Sequence, residues 1–207
     1  AMEETGRDVV LIQGIEPNLR WRRFVRAISE VVTAVDAELV ITLGALLAEV
    51  AHTRPVPITG TAADPALIAR MGLQRSRYEG PTGIIGVLHD HLASVGVPSL
   101  SLWAAVPHYV RDTASPKATL ALIRRAAEVL DLAIPTTDLD IAASAYERQV
   151  TDVVAGDTDV EAYVHHLEVA GEDDEFADDD DERPRLEFKS AEELAAEAER
   201  FLRDQGN

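Results

Sequence analysis

A chain of 207 residues and 22.5 kDa, 46% hydrophobic and 5% aromatic, has room for one ordinary domain with an appendage and enough aliphatic side chains for a core, which excludes wholesale disorder. It contains no cysteine, which excludes disulfides, zinc–thiolate sites, iron–sulfur clusters and thiol nucleophiles. The net charge of −18 is uneven: 17 acidic and 14 basic residues up to position 151 give −3, and 20 and 5 beyond it give −15, so the acidity belongs to the tail and disfavours nucleic-acid and anionic-membrane partners.

No apolar run approaches the ~20 residues of a membrane span, and Ala1-Met2-Glu3-Glu4 lacks the basic and apolar parts of a secretion signal, so a cytoplasmic protein without a membrane partner is expected. In chain order, residues 8–12 (Asp-Val-Val-Leu-Ile) read as a buried strand ending at Gly14. Trp21, Phe24, Val25, Ile28, Val31, Val32 and Val35 then recur at helical spacing. Residues 39–43 (Leu-Val-Ile-Thr-Leu) form a second buried strand, so the three together predict a right-handed crossover of a parallel sheet. The stretch from Gly44 to Pro57 is irregular, since Pro55 and Pro57 exclude helix and central strand alike.

Asp64-Pro65 supplies an N-cap and a first-turn proline for a short helix ending near Gly72. Gly80-Pro81-Thr82-Gly83 opens a helix running through His91 toward Gly96. A third apolar strand follows from Leu100 to Val106, closed by Pro107-His108-Tyr109. Ser115-Pro116 caps a helix whose inner face holds Leu120, Ile123, Ala127 and Leu130. Thr137 starts another, to about Val154, with Ile141, Ala145 and Val153 inward. Alternating strands and helices make residues 1–168 an α/β domain. Nine of the eleven residues from Glu172 to Glu182 are acidic, which marks residues 169–189 as a solvated linker. Ser190-Ala191-Glu192-Glu193 is a capping box opening an amphipathic C-terminal helix over 190–207, with Leu194, Phe201 and Leu202 as its apolar, partner-binding contacts.

The phrases Ala51-His52-Thr53-Arg54-Pro55 and Ser101-Leu102-Trp103-Ala104-Ala105-Val106-Pro107-His108-Tyr109-Val110, with Ser115-Pro116 before an amphipathic helix, resemble the PAC2 family, named for a proteasome assembly chaperone. Trp21-Arg22-Arg23-Phe24 and Asp64-Pro65 fall in the matching order, and the resemblance covers about residues 7–168. It implies a phosphorylase/hydrolase-like, three-layer α/β/α fold and a homo-oligomer; with the crossover and the C-terminal helix read above, a mostly parallel sheet with a C-terminal helical extension is expected. Proteasome α-subunits are the protein partner that the resemblance suggests. Family members begin with a further strand–helix segment before the position of Arg7, so the N-terminal part of the family domain is expected to be missing. The family's C-terminal docking tripeptide is not matched by Gln205-Gly206-Asn207.

His52, Arg54 and His108 are the candidate catalytic residues, because loops after strands are where α/β sheets place ligand contacts. If they converge, one imidazole would act as general base and Arg54 would fork onto an anion. The competing and favoured reading has His108 and Tyr109 tying down a turn and Arg54 pairing with a carboxylate at a subunit interface. The sequence holds no nucleophile elbow, no phosphate-binding loop and no dinucleotide fingerprint, and Ser101 reads as packed. Residues 80–83 read as a helix entry before an anion site. His89 and His91, like His165 and His166, lack the spacing of a helical zinc pair, so no metal and no cofactor are expected. Arg20, Arg22, Arg23 and Arg26 read as a solvated helix edge, with an acidic partner as the lesser alternative. The leading expectation is a non-enzymatic, self-associating assembly factor. The alternative is a hydrolase or phosphorylase of a small anionic substrate.

Overall fold

The computed structural model of the chain describes residues 8–75, 83–110 and 113–173. Side-chain caps start three of the six described helices. Asp64 accepts a hydrogen bond from the Ala66 amide at 2.8 Å, Pro65 takes the first turn, and α2 (Pro65–Met71) ends on left-handed Gly72. Ser115 does the same for the Ala118 amide at the start of α4 (Pro116–Leu130). α1 (Trp21–Ala34), α3 (Ile84–Ser94) and α5 (Thr137–Val154) complete the expected set. A helix that the sequence reading passed over, α6 (Thr158–Asp173), starts where the Asp157 carboxylate receives the Asp159 and Val160 amides.

The described strands are β1 (Val40–Ala48), β2 (Ile58–Ala62), β3 (Gln74–Arg75) and β4 (Ser99–Pro107), in the order β1-β4-β2-β3. β1 runs parallel to β4 and β2 to β3, but β2 lies antiparallel to β4. The sheet is therefore mixed, which corrects the mostly parallel expectation. β2 is the reason: the turn at residues 51–54, closed by the Arg54 amide on the Ala51 carbonyl, and the Pro55-Val56-Pro57 segment after it bring the chain back beside β4, with Ala105 donating to the Pro57 carbonyl at 3.0 Å.

Residues 8–12 are irregular, with Val9, Val10, Leu11 and Ile12 between 48% and 84% exposed, so the expected first crossover does not form. A β-rich composition becomes a strand only when a partner ladder accepts it. β1 consequently stands at the edge of the described strands, and it runs on through Gly44 to Ala48, well into the stretch expected to be irregular. Gly44 is needed there by proximity: a Cβ at that position would stand 2.6 Å from the Trp103 ring.

Alternation along β4 divides its two faces. Leu100, Leu102, Ala104 and Val106 pack against Leu67, Leu73, Ala118 and Val129 of the α2 and α4 side. Ser99 and Ser101 meet His89 and Thr42 on the α3 side. Val25 and Val32 of α1 pack with Ile84, Leu88 and Leu92 of α3. The α5 face was misread: Ala143, Tyr146, Val150 and Val154 are its buried stripe, while Ile141 and Val153 are 65% and 68% exposed and Ala145 is exposed. That stripe packs on Ala51 and on Val164 of α6, so Tyr146, the largest of its side chains, sets the rotation of the helix.

Candidate functional site

His52 follows β1 and is 4% exposed. Its amide donates to Tyr109 Oη at 2.9 Å, its Nδ1 lies 2.9 Å from the same oxygen, and its Nε2 lies 3.0 Å from Thr151 Oγ1. Thr151 gives its own hydroxyl proton to the Glu147 carbonyl, so Oγ1 accepts from His52. The proton therefore sits on Nε2, and Nδ1 accepts from Tyr109. Burial, and then the Lys117 ammonium, hold the His52 imidazole below its ordinary pKa, against a smaller opposing pull from Glu147 and Glu168. Burial raises Tyr109. Both nitrogens of His52 are thus committed to protein partners, and a general base needs one that is not.

Lys117 donates to the His52 carbonyl at 2.6 Å and pairs with Glu147, clamping the loop to α4 and α5. Arg54 donates to the Glu168 carbonyl and Thr53 to the Glu168 carboxylate, tying the same loop to α6. His108 is exposed and opens a 3₁₀ turn (His108–Val110). Its ring meets Tyr109 and Tyr163 edge-on, at 5.7 and 5.4 Å between centroids. The fold thus sets both imidazoles against Tyr109, one buried and one exposed, and turns Arg54 toward α6. Pro55, Pro107 and Tyr146 join His52, Arg54 and Lys117 around a cavity of about 10 Å³, the space of a single water and far below that of a metabolite.

A second polar cluster escaped the sequence reading, which weighed His89 only as a metal ligand. His89 Nε2 lies 2.8 Å from Thr42 Oγ1 and Nδ1 lies 2.8 Å from Ser99 Oγ; Thr42 continues to Ser101 Oγ, which also accepts from Trp103 Nε1. The small hydroxyls at Thr42, Ser99 and Ser101, in otherwise aliphatic strands, were the available signal. Burial lowers the His89 pKa as well. A histidine depressed in the fold takes up its proton more readily when unfolded, so stability is full above the unfolded value of 6.5 and is lost as pH falls below it. Urea unfolding at about pH 7.5 and about pH 5.5 is expected to give a lower midpoint at the acid value, with a smaller difference in His89→Gln.

Among the described residues no three His, Asp or Glu side chains gather as a metal set, and no helix is long and apolar enough to cross a membrane. Arg20, Arg22, Arg23 and Arg26 are exposed at the start of α1. Residues 169–173 of the expected linker belong to α6, and residues 80–82, the rest of the acidic stretch from residue 174 and the C-terminal contacts Leu194, Phe201 and Leu202 lie outside the described residues.

The family model described as "PAC2 family" matches residues 1–154, a span that contains both phrases of the site. The chain belongs to the PAC2 family. A PAC2 family protein from Streptomyces avermitilis is 45% identical with a TM-score of 0.67, over 73% of this chain and 63% of its own. A Mycobacterium tuberculosis proteasome-assembly chaperone homologue is 47% identical with a TM-score of 0.70, over 78% and 69%. An archaeal homologue of proteasome-assembly chaperone from Pyrococcus furiosus, at 19% identity and a TM-score of 0.52 over 76% and 65%, shares the PAC2 fold. The chain thus spans just under two thirds of the Streptomyces PAC2 protein. No curated protein matches it.

Proposed function

We propose that this PAC2 protein is a non-enzymatic, self-associating assembly factor whose surfaces, and not a cleft, carry its function. The open edge of β1 carries the reading. Its hydrogen-bonding side away from β4 meets no other described strand, and Leu43 and Leu47 on one face and Leu46 on the other are 44–53% exposed. An unpaired apolar edge is the ordinary place for another chain to add a strand, and a second copy is the occupant proposed here. The phosphorylase/hydrolase-like α/β/α assignment belongs to the same proposal, as does the C-terminal helix with Leu194, Phe201 and Leu202 as a further apolar contact on an acidic tether.

Likeness to the Mycobacterium proteasome-assembly chaperone homologue supports a proteasome component as the partner, and the family resemblance makes the α-subunits the choice proposed here. The hydrolase or phosphorylase alternative is disfavoured by the committed nitrogens of His52, the attachment of Arg54 to α6 and the water-sized cavity. A calorimetric titration with proteasome α-subunits is the test of the partner. Saturable heat is expected, and a flat titration at high micromolar concentration overturns it.

A further inference from the structure

We infer that the cavity beneath the His52–Arg54 loop holds one internal water, bound to the hydroxyl of Tyr146. Tyr146 is 6% exposed and sits on the buried stripe of α5. Its Oη is a buried side-chain oxygen with no hydrogen-bond partner among the described residues. Buried tyrosines ordinarily place that hydroxyl on a partner, because desolvating it without one is unfavourable. Tyr146 also lines the cavity of about 10 Å³, which is the space of one water and no more.

The remaining lining decides whether such a space is wet or dry. Cavities walled by hydrocarbon stay empty, while those with two to four polar partners hold water. Here Ser115 and Lys117 also line the space. Ser115 Oγ accepts from the Ala118 amide, and its own hydrogen remains available to donate. Lys117 spends two of its three ammonium hydrogens on the His52 carbonyl and on Glu147. A water there accepts from Lys117 and Ser115 and donates to Tyr146, linking α5 to the start of α4 and to the loop bearing the family phrase. Lys117 already has its carboxylate in Glu147, so the site needs no anion.

Two measurements on the whole chain test this. A crystal structure at high resolution is expected to show a density peak of water strength about 2.6–3.2 Å from Tyr146 Oη. Crystals grown in bromide are expected to give no anomalous peak there; one would identify a halide and overturn the water. Tyr146→Phe removes the hydroxyl with little change of shape, and a bridged phenol predicts a melting temperature lower by about 2–4 °C. An unchanged or raised value would mean that the hydroxyl is an uncompensated burden, and would overturn the inference, as would an empty cavity in the wild-type map.

Discussion

Leu102→Ala is expected to lower the unfolding free energy by about 3–5 kcal/mol, the upper part of the range for truncating a fully buried leucine. Leu102 is 0% exposed in β4, the strand that pairs on one side with β1 and on the other with β2. Its side chain packs with Leu67, Leu73, Leu100 and Val129. The neighbours have little freedom to fill the space. Leu73 and Leu102 both descend onto Gly60, where an added Cβ would lie 2.2 Å from one and 3.2 Å from the other, so this layer already stands at van der Waals contact with the backbone of β2. Both flanking strands are fixed by their ladders to β4. Chemical denaturation measures the cost, and a loss under about 1 kcal/mol would mean that the sheet is not organised around this residue.

His52→Ala is expected to cost about 2–4 kcal/mol, and His108→Ala under about 1 kcal/mol. The first substitution removes two ring hydrogen bonds and leaves a cavity, with Tyr109 Oη retaining only the residue-52 amide as a partner of those described above. The second removes an exposed ring that touches Tyr109 and Tyr163 edge-on. The unequal pair separates two accounts of the same phrase. A catalytic pair gives activity losses from both with modest effects on folding, whereas a structural clamp gives a large loss of stability from His52 alone. Equal denaturation midpoints for the two variants would contradict the clamp.

What could be read in the sequence was what is decided locally. Asp64-Pro65 and Ser115-Pro116 cap helices through atoms two or three residues away, so α2 and α4 stand where their punctuation put them. β4 was visible as an unbroken apolar run, although the serines within it proved to serve the His89 cluster. Pairing is a different matter. Residues 8–12 and residues 40–43 look alike as composition, yet among the described strands only the latter found a ladder to join, in β4 about sixty residues further on. β2 is five residues long and follows two prolines, so its antiparallel seat beside β4 had no local signature. α5 showed two possible apolar stripes, and the choice between them was made by Ala51 and Val164, which are remote in sequence.

The site divided in the same way. The family phrase marked His52, Arg54 and His108, but what each side chain touches depends on residues far along the chain. Thr151, 99 positions from His52, settles the imidazole tautomer, and Glu168, 114 positions from Arg54, takes its guanidinium. No spacing rule reaches so far. The buried hydroxyl of Tyr146 was invisible for that reason, since it follows from how α5 packs on Ala51 and α6, whereas the His89 bridge was marked only by the hydroxyls of Thr42, Ser99 and Ser101.

On the function proposed above, the side of β1 that meets no other described strand joins copies of this chain. Sedimentation equilibrium of the wild-type chain and of Leu47→Glu tests it most directly, with circular dichroism to establish that the variant folds. Leu47 is 53% exposed on the edge strand, so a carboxylate there is tolerated by a lone subunit and costly in an apolar contact. A wild-type mass of at least twice 22.5 kDa and a folded variant close to 22.5 kDa are expected. A wild-type chain that sediments as a monomer, or a folded variant that associates as the wild type does, would contradict it.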